Sequence, residues 1–255
     1  VSDLDALEPF RTHAADALIA FDFDGTLAPI VDEPDAAVPM DGVPAALERL
    51  AARFGEVAVV SGRPLEFLER WFPEPSGVTL VGLYGLEARR LGQRADHPTS
   101  GVWRETMADV AGLARIKGPD GMDIELKGLS ITLHYRRRPE LEPQVMAWAE
   151  QIAAPTGLRA RPARMSVELH PPIDEDKGTV LHRLVASHTG PVLFAGDDLG
   201  DVPAFQVLDD LRAAGRPVLA VVVDSAEAPA ALSGRADLLV DGPAAVADLV
   251  VALGT

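Results

Sequence analysis

Ala17-Leu18-Ile19-Ala20-Phe21-Asp22-Phe23-Asp24-Gly25-Thr26 is the stretch that decides how this chain reads. Its apolar run, bounded by a turn, has the length and character of a buried β-strand. The run ends in two closely spaced carboxylates, followed by a glycine that permits a sharp turn and by a hydroxyl. Acids packed this closely repel each other unless a cation or a proton sits between them. In an α/β sheet, the carboxyl end of a strand is where ligands bind. Three readings compete. An EF-hand loop also begins Asp-x-Asp, but it places its glycine further along and follows a helix rather than a strand. A solvated turn is the bland alternative. The third is phosphoryl transfer, with one aspartate as nucleophile and the other as acid/base around a shared magnesium ion. The third is favoured because later segments supply its remaining parts.

The chain has 255 residues, enough for one large or two modest domains, and its 47% hydrophobic and 24% charged content is that of a globular protein. No apolar run is long enough to span a membrane, and the N-terminus lacks a signal-peptide pattern. A formal charge of −16 argues against nucleic-acid or anionic-membrane partners, so an anionic substrate needs a local positive site. The absence of cysteine excludes disulfides, thiolate catalysis and zinc-thiolate sites, and fits a reducing cytoplasm. The histidines (His13, His97, His134, His170, His182 and His188) form no ligand-spaced cluster, which leaves a hard, oxygen-liganded cation as the expected metal.

Strand and helix patterns alternate at first. Leu4 to Ala15 has helical spacing and precedes the first strand. Asp41 is placed to cap a helix with the apolar face Val43, Leu47, Leu50, Ala51 and Phe54, which Gly55 ends. Glu56–Val60 reads as a buried strand, Leu65–Trp71 as a helix and Val78–Leu83 as a strand. Such alternation implies a doubly wound parallel sheet of the α/β, Rossmann-like kind. From about Thr99 the order becomes helix, hairpin, helix, hairpin, which implies an inserted α+β module with an antiparallel sheet. Proline-punctuated flanks, Asp96-His97-Pro98 and His170-Pro171-Pro172, bound it. Alternation then returns from Lys177. The expected division is a core over residues 1–98 and 174–255, and an inserted module over 99–173 that acts as a hinged lid.

Ser61 ends its strand as Asp22 ends its own, and a Ser-Gly turn can hold a phosphoryl oxygen, although most such turns only redirect the chain. Asp176 reads as an N-cap, which puts Lys177 in a first helical turn, where the helix dipole disfavours a cation. One reading pairs Lys177 with Asp174, Glu175 or Asp176; the other has it neutralise phosphate and balance the carboxylates. Gly196-Asp197-Asp198-Leu199-Gly200-Asp201 is a second acidic turn after an apolar strand. With Asp22 and Asp24 it supplies oxygens for magnesium.

In this order, an Asp-x-Asp-Gly-Thr turn, a Ser after the second strand, a Lys at a helix start and a Gly-Asp-Asp turn resemble the haloacid dehalogenase superfamily. Phe21–Ile30, Val60–Arg63, Gly85-Leu86-Glu87, Glu125–Ser130, Leu133–Arg136 and Gly196–Asp198 resemble the trehalose-6-phosphate phosphatases in particular. Departures are Tyr84, where many relatives carry His, Leu126, which replaces an acid, and Gly200, Val202 and Pro203 after the second acidic turn.

This resemblance implies a superfamily core with a smaller α+β cap, and a magnesium-dependent phosphatase. Asp22 is then the nucleophile and Asp24 the acid/base, while Ser61 and Lys177 hold the phosphoryl oxygens. Mg2+ is expected on Asp22, Asp24 (through its backbone carbonyl), Asp197 and Asp198, with Asp201 as the alternative to Asp198. Arg63, Glu125, Lys127 and Glu168 are the expected substrate contacts; the competing accounts are an anchor of its own loop to nearby acids for Arg63 and an ordinary charged strand face for the last three. The implied setting is a cytoplasmic monomer whose partner is a small sugar phosphate. Rival functions are a phosphatase for sucrose-phosphate or mannosyl-phosphoglycerate, a phosphomutase, or a non-catalytic sugar-phosphate sensor.

Overall fold

The computed structural model describes residues 6–31, 33–126, 128–163, 165–224, 232 and 234–255. Two compact units emerge, one formed by Val1–Ala95 with Glu175–Thr255 and the other by Asp96–Asp174.

The first unit is built on an eight-stranded sheet. Its strands are β1 (Leu18–Phe21), β2 (Glu56–Val60), β3 (Thr79–Gly82), β4 (Glu87–Arg90), β5 (Gln93–Arg94), β10 (Val192–Gly196), β11 (Val218–Asp224) and β12 (Leu238–Asp241), in the order β12-β11-β10-β1-β2-β3-β4-β5. From β12 to β3 neighbouring strands pair in parallel, whereas β4 and β5 are antiparallel additions at one edge. Every residue of β1 is buried, because both faces of the sheet are covered. Ile19 and Phe21 face one core with Val57, Val59, Leu47 and Leu50, while Leu18 and Ala20 face the other with Val60, Leu181, Phe194 and Phe205.

From β1 the chain builds outward through β2 and β3 on one side and, later, through β10, β11 and β12 on the other. The carboxyl ends of β1 and β10 therefore flank a topological switch point, where the connections diverge and leave a crevice. Phe21 pairs with Ala195 and with Val59, so the turns after β1, β2 and β10 leave the sheet side by side.

The helix α2 (Val43–Ala51) differs from expectation at both ends. Gly42, in the left-handed region at φ 77°, is its N-cap, and no side chain caps it, so Asp41 has no capping role. Gly55 lies beyond the helix and donates its backbone N–H to the Ala14 carbonyl at 2.8 Å, which starts β2 rather than ending α2. The spacing of Leu4 to Ala15 resolves into the short helix α1 (Glu8–Thr12) and a 3-10 turn over Ala14–Asp16, residues 1–5 lying outside the described residues. The helix α3 (Leu65–Glu69) is likewise shorter than its apolar pattern.

In the second unit, strands β6 (Asp123–Leu126), β7 (Ile131–His134), β8 (Arg159–Ala163) and β9 (Ser166–His170) form an antiparallel sheet in the order β6-β7-β9-β8. Helices α4 (Ser100–Lys117) and α5 (Glu142–Thr156) cover one face, where Met107, Val110, Val145 and Ala149 pack on Ile131, Leu133, Val167 and Leu169. Alternation sends Glu125, Thr132, Glu168 and Arg161, which are aligned across the strands, to the opposite face.

Candidate active site

Asp22 follows the last residue of β1 and is fixed there by its backbone N–H, which donates to the Ala195 carbonyl at 2.9 Å. Its side chain is buried, and one carboxylate oxygen lies 2.7 Å from Lys177 Nζ. Lys177 opens the helix α6 (Lys177–Val185), capped by Asp176, whose carboxylate accepts from the Thr179 N–H at 2.7 Å while the Thr179 hydroxyl oxygen accepts the Asp176 N–H at 2.9 Å. Gly178 allows this start to press on the next acidic turn, since a Cβ there would lie 2.7 Å from the Pro203 carbonyl oxygen. Lys177 thus reaches a second carboxylate, Asp201 Oδ1, at 2.6 Å.

Asp201 organises the turn after β10. Its other oxygen accepts the backbone N–H groups of Asp197 at 2.9 Å and Asp198 at 3.1 Å, which aims the Asp197 side chain inward. Asp197 Oδ1 receives the Thr26 hydroxyl at 3.5 Å, a long bond. Asp22, Asp197 and Asp201 each place a carboxylate oxygen within 4.8 Å of the others, and all three residues are buried. Gly25 is required here, because it holds φ 77° and a Cβ would run into the Asp197 carboxylate.

The electrostatics follow from burial. Desolvation raises the Asp22 carboxyl well above the ordinary aspartate range, with Asp201 and Asp198 adding repulsion, while Lys177 pulls the other way. Burial raises Asp201 too, against the pull of Lys177. For Lys177 burial alone would favour the neutral amine, but Asp201, Asp22 and Asp198 together lift it well above the ordinary lysine value, so the ammonium persists. Asp22 and Asp201 share the Lys177 ammonium, and the Asp197 carboxylate lies beside them. An all-oxygen, anionic donor set of this kind suits a hard divalent cation.

The remaining expected residues are placed as follows. The Asp24 carboxylate is turned to Arg63, which donates from Nε and Nη2 at 2.7 Å each. The Arg63 guanidinium also stacks 4.6 Å from the centre of the Phe67 ring. Ser61 is buried at the end of β2, and its hydroxyl oxygen accepts the Arg63 N–H at 3.1 Å, which leaves its own hydrogen to donate. Asp198 is exposed, and it caps the 3-10 turn through Leu199–Asp201 rather than joining the buried cluster. Glu125 and Glu168 lie on the second unit's sheet face opposite its helices, while Lys127 lies outside the described residues.

Two features were not fixed by the sequence. Asp201, left open against Asp198 as the residue completing the metal shell, belongs to the buried cluster. The turn Leu83-Tyr84-Gly85 carries φ values of 48°, 56° and 111°, the first two at residues with side chains that disfavour them. Its strained backbone clamps the Ser61 segment, for Tyr84 N–H donates to the Ser61 carbonyl at 3.0 Å and Leu83 N–H to that of Arg63 at 2.9 Å.

Comparison with known proteins agrees with this geometry. A trehalose-phosphatase family model matches residues 20–237. The trehalose-phosphate phosphatase of Mycobacterium avium (strain 104) is 35% identical over 211 residues, covering 79% of this chain and 54% of that protein. That of Mycobacterium tuberculosis (strain ATCC 25177 / H37Ra) is 33% identical over 256 residues, covering 92% of this chain and 62% of that protein. The chain thus spans about half the length of the curated relatives it matches. In fold it is similar to the C-terminal domain of the C. albicans trehalose-6-phosphate phosphatase, with a TM-score of 0.72, 24% identity, and coverage of 100% of this chain and 97% of that one. With its acidic turns, switch-point crevice and matched segment in agreement, the chain belongs to the trehalose-phosphatase family.

Proposed function

We propose that this chain hydrolyses trehalose 6-phosphate to trehalose and phosphate, with Asp22 as the nucleophile and Mg2+ as the cation. The observation that carries the reading is the Asp22 carboxylate itself: buried, held by Lys177 at 2.7 Å, and grouped with Asp197 and Asp201 at a switch point.

One Asp22 oxygen attacks phosphorus in line, and the bond from phosphorus to the sugar oxygen breaks. Asp24 delivers a proton to that departing oxygen. Asp24 then takes a proton from water as the water attacks the aspartyl-phosphate, which breaks the bond from phosphorus to Asp22 and frees phosphate. Lys177 and the Ser61 hydroxyl stabilise charge on the phosphoryl oxygens during both transfers. Asp22, Asp197 and Asp201, with the Asp24 backbone carbonyl, are the groups that would hold the cation, which when bound offsets phosphoryl negative charge. A phosphate group does not identify its sugar, so we assign sugar choice to the inserted unit's Glu125, Lys127 and Glu168.

The test is phosphate release from a panel of trehalose, sucrose, glucose and mannosyl-glycerate phosphates, with magnesium and with chelator. Release that favours trehalose 6-phosphate and stops on chelation supports the reading. Full activity in chelator would remove the metal assignment, and preference for another ester would replace the substrate.

A further inference from the structure

On the sheet face of the inserted unit opposite its helices, Thr132 occupies the middle of a cross-strand row, with Glu125 beside it on β6 and Glu168 on β9. Glu125 is held by a histidine ring and Glu168 by a guanidinium. The His134 ring Nε2 lies 2.8 Å from Glu125, and Arg161 Nη2 lies 2.7 Å from Glu168. Thr132 is 4% exposed, and its hydroxyl has no hydrogen-bond partner among the described residues.

A buried hydroxyl without a partner is a rarity that folding alone disfavours. At a position flanked by Ile131 and Leu133, valine would keep the β-branched shape and the strand preference at no polar cost. Local rules broken without a structural gain tend to mark sites of function. The neighbouring acids point the same way. Glu125 is 29% and Glu168 17% exposed, so the carboxylates on either side of the threonine are within reach of a ligand rich in hydroxyl groups.

We infer that Thr132 is a specificity-determining residue, its hydroxyl bonding a sugar hydroxyl between Glu125 and Glu168. This rests on the sugar-phosphate reading above. The orphaned hydroxyl is then a cost of the ligand-free chain that sugar removes, and it distinguishes a polyol from an ester without hydroxyls.

The test compares Thr132→Val and Thr132→Ser in steady-state hydrolysis of trehalose 6-phosphate and p-nitrophenyl phosphate with magnesium, alongside thermal unfolding. Thr132→Val should keep or raise the melting temperature, raise KM for the sugar phosphate about two- to tenfold, and leave kcat/KM for the aryl ester unchanged. Thr132→Ser, which keeps the hydroxyl, should keep the wild-type KM. An unchanged sugar-phosphate KM in Thr132→Val, or equal losses on both substrates, overturns the inference. Wild-type chain that cleaves the aryl ester but no sugar phosphate would instead overturn the substrate reading, and this inference with it.

Discussion

Arg63 grips both carboxylate oxygens of Asp24, with Nε and Nη2 each at 2.7 Å. A guanidinium fork occupies both carboxylate oxygens and holds the group turned toward Arg63. The fork must therefore open, or loosen on one side, before Asp24 can protonate a leaving group. Arg63 is a positioning residue in this account, itself steadied by Phe67. Asp24→Asn should lower kcat on trehalose 6-phosphate by about 10²–10⁴, the usual weight of general acid catalysis. Arg63→Met should cost about tenfold there, while both changes largely spare kcat/KM for p-nitrophenyl phosphate, which reports the transfer step alone and whose leaving group needs little protonation. The double variant should be no worse than Asp24→Asn alone, since both act through one group. Additive losses would separate Arg63 from Asp24.

Lys177 bonds both Asp22 and Asp201 through its ammonium. Lys177→Met strands two buried carboxylates, and breaking such an arrangement costs about 3–5 kcal/mol. Urea midpoints measured in chelator should fall accordingly, and magnesium should restore part of the loss by replacing the missing charge. Turnover should stay abolished in either condition. A midpoint indifferent to both the substitution and the cation would contradict the charge balance described here.

The raised Asp22 and Asp201 carboxyls give the chelated protein a specific pH dependence. A carboxyl whose folded-state value exceeds its unfolded value binds protons more readily when folded. Stability from these two groups therefore falls as pH rises above the ordinary aspartate range. Lys177 has the opposite relation to charge: raised above the ordinary lysine value, its contribution is intact at neutral pH and is lost only under strongly alkaline conditions. In chelator, Asp201→Asn should flatten the decline in unfolding free energy between mildly acidic and neutral pH. A steeper decline in that variant would reverse the assigned sign.

Gly25→Ala meets two penalties, a φ of 77° and collision with the Asp197 carboxylate. Gly42→Ala meets the first alone, because nothing lies within 4 Å of a Cβ there, although its φ is also 77°. Both should lose about 1–2 kcal/mol of stability to backbone strain. Only Gly25→Ala should also weaken magnesium binding and turnover, as measured by calorimetry and phosphate release. Equal activity in the two variants would detach Gly25 from the acidic cluster.

Much of the architecture was legible because burial leaves a regular trace. The continuous apolar runs of β1, β2, β10 and β11 and the alternation of β7 and β9 all identify strands, and Asp176 marks the start of α6 through a capping box. Less visible were β4 and β5, short and charged strands that join the sheet at its edge by antiparallel pairing. Their sequence Glu-Ala-Arg-Arg carries no apolar signal because tertiary ion pairs, such as Arg90 with Glu56, hold them. At the site, the turns of Asp22 and Asp197 could be read from strand ends. That Asp201 rather than Asp198 joins the buried cluster depends on Asp201 folding back onto the N–H groups of Asp197 and Asp198, a matter of three-dimensional closure. The strained Tyr84 backbone has no counterpart in spacing or composition.

The central claim is that phosphate passes through the Asp22 side chain. Acid-quenched turnover of trehalose 6-phosphate with magnesium, followed by borohydride reduction and peptide mass spectrometry, reads this directly, since reduction of an aspartyl-phosphate leaves homoserine at its position. Asp24→Asn with p-nitrophenyl phosphate should enrich the intermediate, because this variant lacks the base for the second step. The account predicts homoserine at position 22 alone, and neither homoserine nor turnover in Asp22→Asn. Homoserine at another aspartate, or undiminished turnover by Asp22→Asn, would contradict it.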